Sequence, residues 1–149
     1  MNILSTSKFR AGLFAAVLAV APLSPALHGQ DVGMVAKMNV PFAFETASGH
    51  HFAPGVYSLR MENLHSLLIR GDSDSALTMT TVEDNAHTAK TGKAIFRKYG
   101  NQYFLGEITD AGRSRCLHFA KSKAENRVQI AAEKTPPTNV ELALLETTR

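Results

Sequence analysis

The chain has 149 residues, 16 basic against 13 acidic side chains for a formal charge of +3, a single cysteine and no tryptophan. Such a balance lacks the one-sided basic excess of a nucleic-acid binder. One thiol excludes an intramolecular disulfide and a four-thiolate metal site, and this length supports one hydrophobic core. Lys8 and Arg10 open the chain, Ala11 to Leu23 follow as an apolar run, and Ser24, Pro25 and Ala26 make a small-residue exit. Residues 1–29 therefore read as an export signal, cleaved after Ala26 or Gly29 and leaving residues 30–149 as a single β domain in the periplasm or outside the cell. The apolar run is about 13 residues against the roughly 20 that a spanning helix needs, so no stable membrane span is expected after cleavage. No cysteine lies near either cleavage position, which excludes a lipidated N-terminus. Loss of Lys8 and Arg10 from the 16 basic side chains brings the formal charge of the mature chain to about +1.

From Met34 to Phe44 the residues alternate, with Met34, Ala36, Met38, Val40, Phe42 and Phe44 on one face, the pattern of a strand with one buried side. Pro41 cannot donate a ladder hydrogen bond, which predicts an edge strand or a bulge there. Ser48-Gly49 and Pro54-Gly55 frame a turn before a second strand carrying Tyr57, Leu59 and Met61. Leu67 to Arg70 is a third strand, closed by Gly71-Asp72-Ser73-Asp74, and Leu77 to Val82 a fourth, favoured by three threonines with branched Cβ atoms. Lys93–Tyr99 and Gln102–Ile108, joined by Gly100-Asn101, form the strongest hairpin signal in the chain. Ser114 to Phe119 is a further strand, with Cys116 and His118 on one face and Arg115, Leu117 and Phe119 on the other. At Ser122 the period changes. Ser122 with Glu125 makes a capping box, Ala124, Val128 and Ala131 or Ala132 recur at helical spacing, and Pro136-Pro137 stops the helix. Val140, Leu142 and Leu144 alternate again. The fold class expected is mainly β, an antiparallel barrel or sandwich of seven to eight strands with one C-terminal helix, the barrel preferred because closure removes exposed edges.

Three stretches carry a resemblance: Val40-Pro41-Phe42-Ala43-Phe44, Phe52-Ala53-Pro54-Gly55-Val56-Tyr57, and Phe96 to Leu105. They are similar to a family of small exported bacterial all-β proteins of unknown function that share a V-P-F-x-F strand, an L-P-A-G-x-Y turn and strand, and an R-Y-G-x-x-Y-F-L hairpin. Phe52-Ala53 stands where the family has Leu-Pro, and the chain follows the pattern loosely after Arg115. The resemblance implies export and a β fold and supplies no catalytic residue.

The side chains able to do chemistry are few. Tyr57, Tyr99 and Tyr103 are the candidate ligand-binding residues, since a phenol on a sheet face can line a cavity and orient a ligand. Cys116 and His118, two apart on one strand face, are candidate ligands for zinc or copper, with His50 or His51 as a third. His65 and His87 complete the mature histidines. No G-x-S-x-G elbow supports nucleophilic hydrolysis, and Glu83, Asp84 and Glu107 have no spacing that sets a catalytic pair. No phosphate loop or internal repeat is present, and no cofactor is implied.

The sequence therefore reads as an exported, non-enzymatic protein that binds a small apolar ligand or another envelope component. A metal-binding or hydrolytic periplasmic protein is the first alternative, and a self-assembling envelope subunit, pairing through the Pro41 strand and the C-terminal strand, is the second.

Overall fold

Alternation of buried and exposed side chains decides most of the strand faces. The structure is a computed structural model and describes residues 35–84, 88–112, 114–132 and 136–146; the proposed signal peptide with its cleavage sites, Met34, His87 and Arg113 lie outside these residues. The chain runs β1 (Val35–Val40), β2 (Phe44–Glu45), β3 (His51–Phe52), β4 (Gly55–Asn63), β5 (Ser66–Arg70), β6 (Ser75–Met79), β7 (Thr81–Asp84), β8 (Lys93–Tyr99), β9 (Gln102–Thr109), β10 (Arg115–His118), α1 (Lys123–Ala131), β11 (Thr138–Ala143) and β12 (Leu145–Glu146). On β1, Ala36, Met38 and Val40 are buried while Lys37 and Asn39 face solvent. On β4, Tyr57, Leu59 and Met61 are buried and Arg60 is exposed.

The hydrogen-bonded ladders make two sheets. The first is five-stranded in the order β12-β1-β4-β5-β6, and the second seven-stranded, with β11-β8-β9-β10-β7 as its main path and β2 and β3 attached to it. All pairings are antiparallel except β2 with β9, which are parallel at Glu45 and Phe104, so the second sheet is mixed. Neither sheet closes into a barrel through its ladders. Gly100, at φ +59°, turns the β8–β9 hairpin in the left-handed region that glycine enters without strain, pairing Tyr99 with Gln102 as the Gly100-Asn101 signal predicts.

Two strand expectations change. The strand expected from Met34 to Phe44 is interrupted at Pro41, which stands exposed between β1 and β2. β1 is not an edge, because β4 pairs along its whole length and β12 covers Ala36 and Lys37 on the other side. Proline ends the strand because it has no N–H to continue the ladder. The strand expected over Leu77–Val82 is two strands in different sheets. Thr80 is the corner: its N–H donates to His65 O at 2.9 Å and its hydroxyl to His118 O at 3.1 Å. Those bonds set the register so that Thr78 and Thr80 are buried, while Leu77 and Met79 stand 52 % and 65 % exposed.

Both sheets feed one apolar cluster, in which Met38, Val40, Leu59, Leu67, Ile69, Ala94, Phe96 and Ile108 are fully buried. Phe96 meets Phe42 and Phe44 edge-on at 5.2 and 5.3 Å, a geometry in which the ring edge faces the negative face of its neighbour. The helix begins as its sequence predicts, with Ser122 Oγ accepting from the Glu125 N–H at 3.0 Å. Its one fully buried residue, however, is Glu125; of the expected stripe Ala124, Val128 and Ala132 are half-buried and Ala131 is exposed, and Ile130 is 72 % exposed. What holds the helix is an ion pair: Glu125 accepts from Arg97 Nε at 2.6 Å and Nη2 at 2.8 Å. No helix among the described residues is long and apolar enough to cross a membrane.

Candidate functional site

The three tyrosines occupy separate places. Tyr57, buried between Gly55 and Gly71, donates its hydroxyl to Ala53 O and lines a pocket of about 200 Å³ with Asp72, Ser73 and Asp74. A Cβ on Gly71 would come within 2.8 Å of the Tyr57 ring, so that glycine is required by the ring's seat. Tyr99 points its hydroxyl at Glu125 Oε1, 3.4 Å away, and belongs to the helix anchor. Tyr103 stacks on Phe42 at 3.9 Å and lines a second pocket, of about 140 Å³, with Glu45, His51 and Gln102. Glu45 is buried, takes His51 Nε2 at 3.3 Å through Oε2, and has no hydrogen-bond partner for Oε1 among the described residues.

Cys116 and His118 do come together with other ligand-type groups. Both lie on β10, two residues apart, so the strand's period of two puts them on one face. The flanking strands complete the face: Glu107 on β9 stands opposite His118, and Glu83 on β7 opposite Cys116. Ligand atoms of Glu107, Cys116 and His118 all lie within 4.8 Å of one another. The imidazole is bracketed, with Nδ1 3.7 Å from Glu107 Oε2 and Nε2 3.4 Å from Glu83 Oε2. Cys116 is buried, whereas His118 and Glu107 are about one-third exposed, so the face has a closed floor and an open mouth. His118 also lines a third pocket, of about 300 Å³, with His65, Met79, Thr80, Thr81 and Ala120. The sequence pointed to Cys116 and His118 through their spacing. Glu107 and Glu83 were visible only as acids, because nothing in the linear chain sets the cross-strand register. His50 is elsewhere, its Nε2 2.8 Å from Asp74 Oδ2, and His51 is on Glu45.

Burial, and then the hydrogen bond and negative charge of Glu107, push the Cys116 thiol from its ordinary 9.0 up to about 12. Burial and then the charge of Asp74 push the Tyr57 phenol upward, and burial with the Glu125 carboxylate does the same to Tyr99. An acid whose folded pKa lies above its unfolded value keeps its proton longer in the folded state. The corresponding stability is full below the unfolded pKa and is lost as pH rises toward the folded one. The urea midpoint is accordingly expected to fall as pH is raised from about 8 to about 11, and to fall less steeply in Cys116→Val. A parallel pH dependence in the two proteins would remove the thiol from this account. Folded protein at pH 8 should also resist thiol reagents that label it at once in denaturant, because the thiolate is the reactive form.

Compared with family models, curated proteins and solved structures, the chain finds no match. The described geometry defines the class by itself: a two-sheet, mainly β protein with a buried apolar cluster fed by both sheets and a thiol–imidazole–carboxylate face on its second sheet.

Proposed function

We propose that this is an exported, non-enzymatic binding protein of the bacterial envelope that engages its ligand or partner on the outside of the fold, as a member of the family its three motifs resemble. One observation carries the reading. The inward faces of both sheets meet in a single apolar cluster in which Phe52, Phe96, Met38, Leu59, Leu67 and Ile69 are fully buried. Of the pockets on the described residues, those at Tyr103 and Tyr57, about 140 and 200 Å³, fall short of the roughly 300–1,000 Å³ cleft of a drug-sized ligand, and the one at His118, about 300 Å³, only reaches its lower bound. Surface engagement is thus better supported than an apolar guest inside the fold. Export rests on the basic start, apolar run and small-residue exit of residues 1–29.

The architecture is best read as a flattened eight-stranded barrel. Taking β6–β7 and β11–β12 as two bent strands, the neighbours run β1, β4, β5, β6–β7, β10, β9, β8, β11–β12 and return to β1. The chain itself crosses between sheets at Thr80 and Leu144, in place of continuous ladders. The competing description is a sandwich, whose two ladders stay separate at those corners.

The test is native mass spectrometry of mature protein purified from its own compartment without chelators. An N-terminus at Leu27 or Gln30 and a retained adduct or co-purified envelope protein are the expected results. A protein that keeps residues 1–29 and stays cytoplasmic, or one that comes out bare and captures nothing from envelope extract, would sink the proposal.

A further inference from the structure

We infer that the face formed by β7, β9 and β10 is a binding site for one zinc ion, held by Cys116 Sγ, His118 Nδ1 and the Glu107 carboxylate, with Glu83 orienting the histidine. This inference rests on the binding reading and gives it a ligand. Thiolate, imidazole and carboxylate are the three donor types that Zn²⁺ accepts, and three protein ligands with an open fourth position are the pattern of a site that exchanges its last ligand. One ligand atom each of Glu107, Cys116 and His118 already lies within 4.8 Å of the other two in the folded chain. Nδ1 is the ring nitrogen on the Glu107 side, at 3.7 Å from Oε2. The other nitrogen, Nε2, faces Glu83 Oε2 at 3.4 Å. Metal-bound histidines ordinarily donate their second N–H to a carboxylate, which fixes the tautomer and ring orientation. Glu83 stands where that carboxylate belongs, on the opposite side of β10 from Glu107.

The rigid setting favours the same reading. The Thr80 hydroxyl donates to His118 O at 3.1 Å, and the Phe119 N–H to Gly106 O at 3.0 Å, so the backbone carrying the histidine is held from both sides. On binding, the Cys116 thiol proton leaves to solvent and the Zn–S bond takes its place, while His118 binds as the neutral ring with its proton on Nε2. With two carboxylates at the histidine, the face suits a divalent ion better than Cu⁺, which favours sulfur and nitrogen donors.

The experiment titrates metal-free mature protein with zinc against a chromogenic competing chelator, and with Co²⁺ as a spectroscopic probe of the thiolate. One equivalent per chain is expected, with a near-ultraviolet sulfur-to-cobalt charge-transfer band in the wild type that Cys116→Ser abolishes. Glu83→Gln, at an exposed side chain, should bind zinc roughly 10–100-fold more weakly while leaving the metal-free melting temperature unchanged. Because that variant changes no core contact, it keeps the test valid if Cys116→Ser folds poorly. Absence of stoichiometric zinc in the wild type, a cobalt band that survives Cys116→Ser, or undiminished affinity in Glu83→Gln would each overturn the assignment. An organic adduct or envelope partner retained by native protein that binds no zinc would end the zinc inference alone. Protein with no metal, adduct or partner would end the binding reading as well.

Discussion

Replacement of Glu125 by alanine should destabilise the protein by about 3–5 kcal/mol, the range for breaking a buried ion pair by removing one partner. The Glu125 side chain is 1 % exposed and that of Arg97 17 %, so deletion leaves the guanidinium with little access to water. The contact is bidentate, at 2.6 and 2.8 Å, and Arg97 also donates through Nη1 to Phe119 O at 3.2 Å. Planar guanidinium matches planar carboxylate in this geometry, so lysine at position 97 would not replace it. Gly106 shows how closely the arginine is fitted, since a Cβ there would lie 2.9 Å from Arg97 Nη1. Gly106→Ala should therefore weaken the same anchor. Because Glu125 is the one fully buried residue of the helix, this pair is its main attachment to the sheet. Urea unfolding of Arg97→Met, Glu125→Leu and the double variant forms the thermodynamic cycle. The double variant should be less damaged than the sum of the singles, because neither charge is then left buried alone. Additive effects, or a loss below about 1 kcal/mol for Glu125→Ala, would show a solvent-screened pair and refute the anchor.

Phe96→Ala should remove about 3–5 kcal/mol, the usual range for a fully buried aromatic. Phe96 has no exposed surface and touches both Phe42 and Phe44. It also sits where the β8–β9 register shifts, between Ile95 and Phe96, so its ring fixes the side of the bulge that faces the core. Loss of the ring removes transfer free energy and leaves a cavity that a two-sheet interior cannot collapse around without moving both sheets. Urea unfolding with an unchanged m-value measures it. A loss below about 1.5 kcal/mol would mean that the neighbouring phenylalanines repack freely and that the cluster is not close-packed.

The two residues differ in how plainly the chain announces them. The Lys93–Tyr99 and Gln102–Thr109 hairpin is announced locally, by two strand-forming runs joined through the two-residue Gly100-Asn101 turn. The Ser122–Glu125 cap is local in the same way. So are the buried faces of β1 and β4, where a period of two is set by the pleat and needs no partner to be read. Apart from the bulge at Ile95 and Phe96, the hairpin that carries Phe96 belongs to this legible part.

Glu125 does not. Its helix reads as amphipathic by spacing, yet its inward residue is a carboxylate whose partner lies 28 positions earlier in the chain. No helical period records that partner. The exposed Leu77 and Met79 with buried Thr78 and Thr80 are a second case, in which a sheet-to-sheet corner, fixed by bonds from Thr80 to His65 and His118, overrides the hydrophobic pattern. The candidate site divides along the same line. Cys116 and His118 share a face because they are two apart on one strand, a relation readable along the chain alone. That Glu107 and Glu83 flank them was decided by the tertiary structure, through the register of β9 and β7 on β10. Local periodicity selects faces within an element, and only hydrogen-bonded register across elements selects which faces meet.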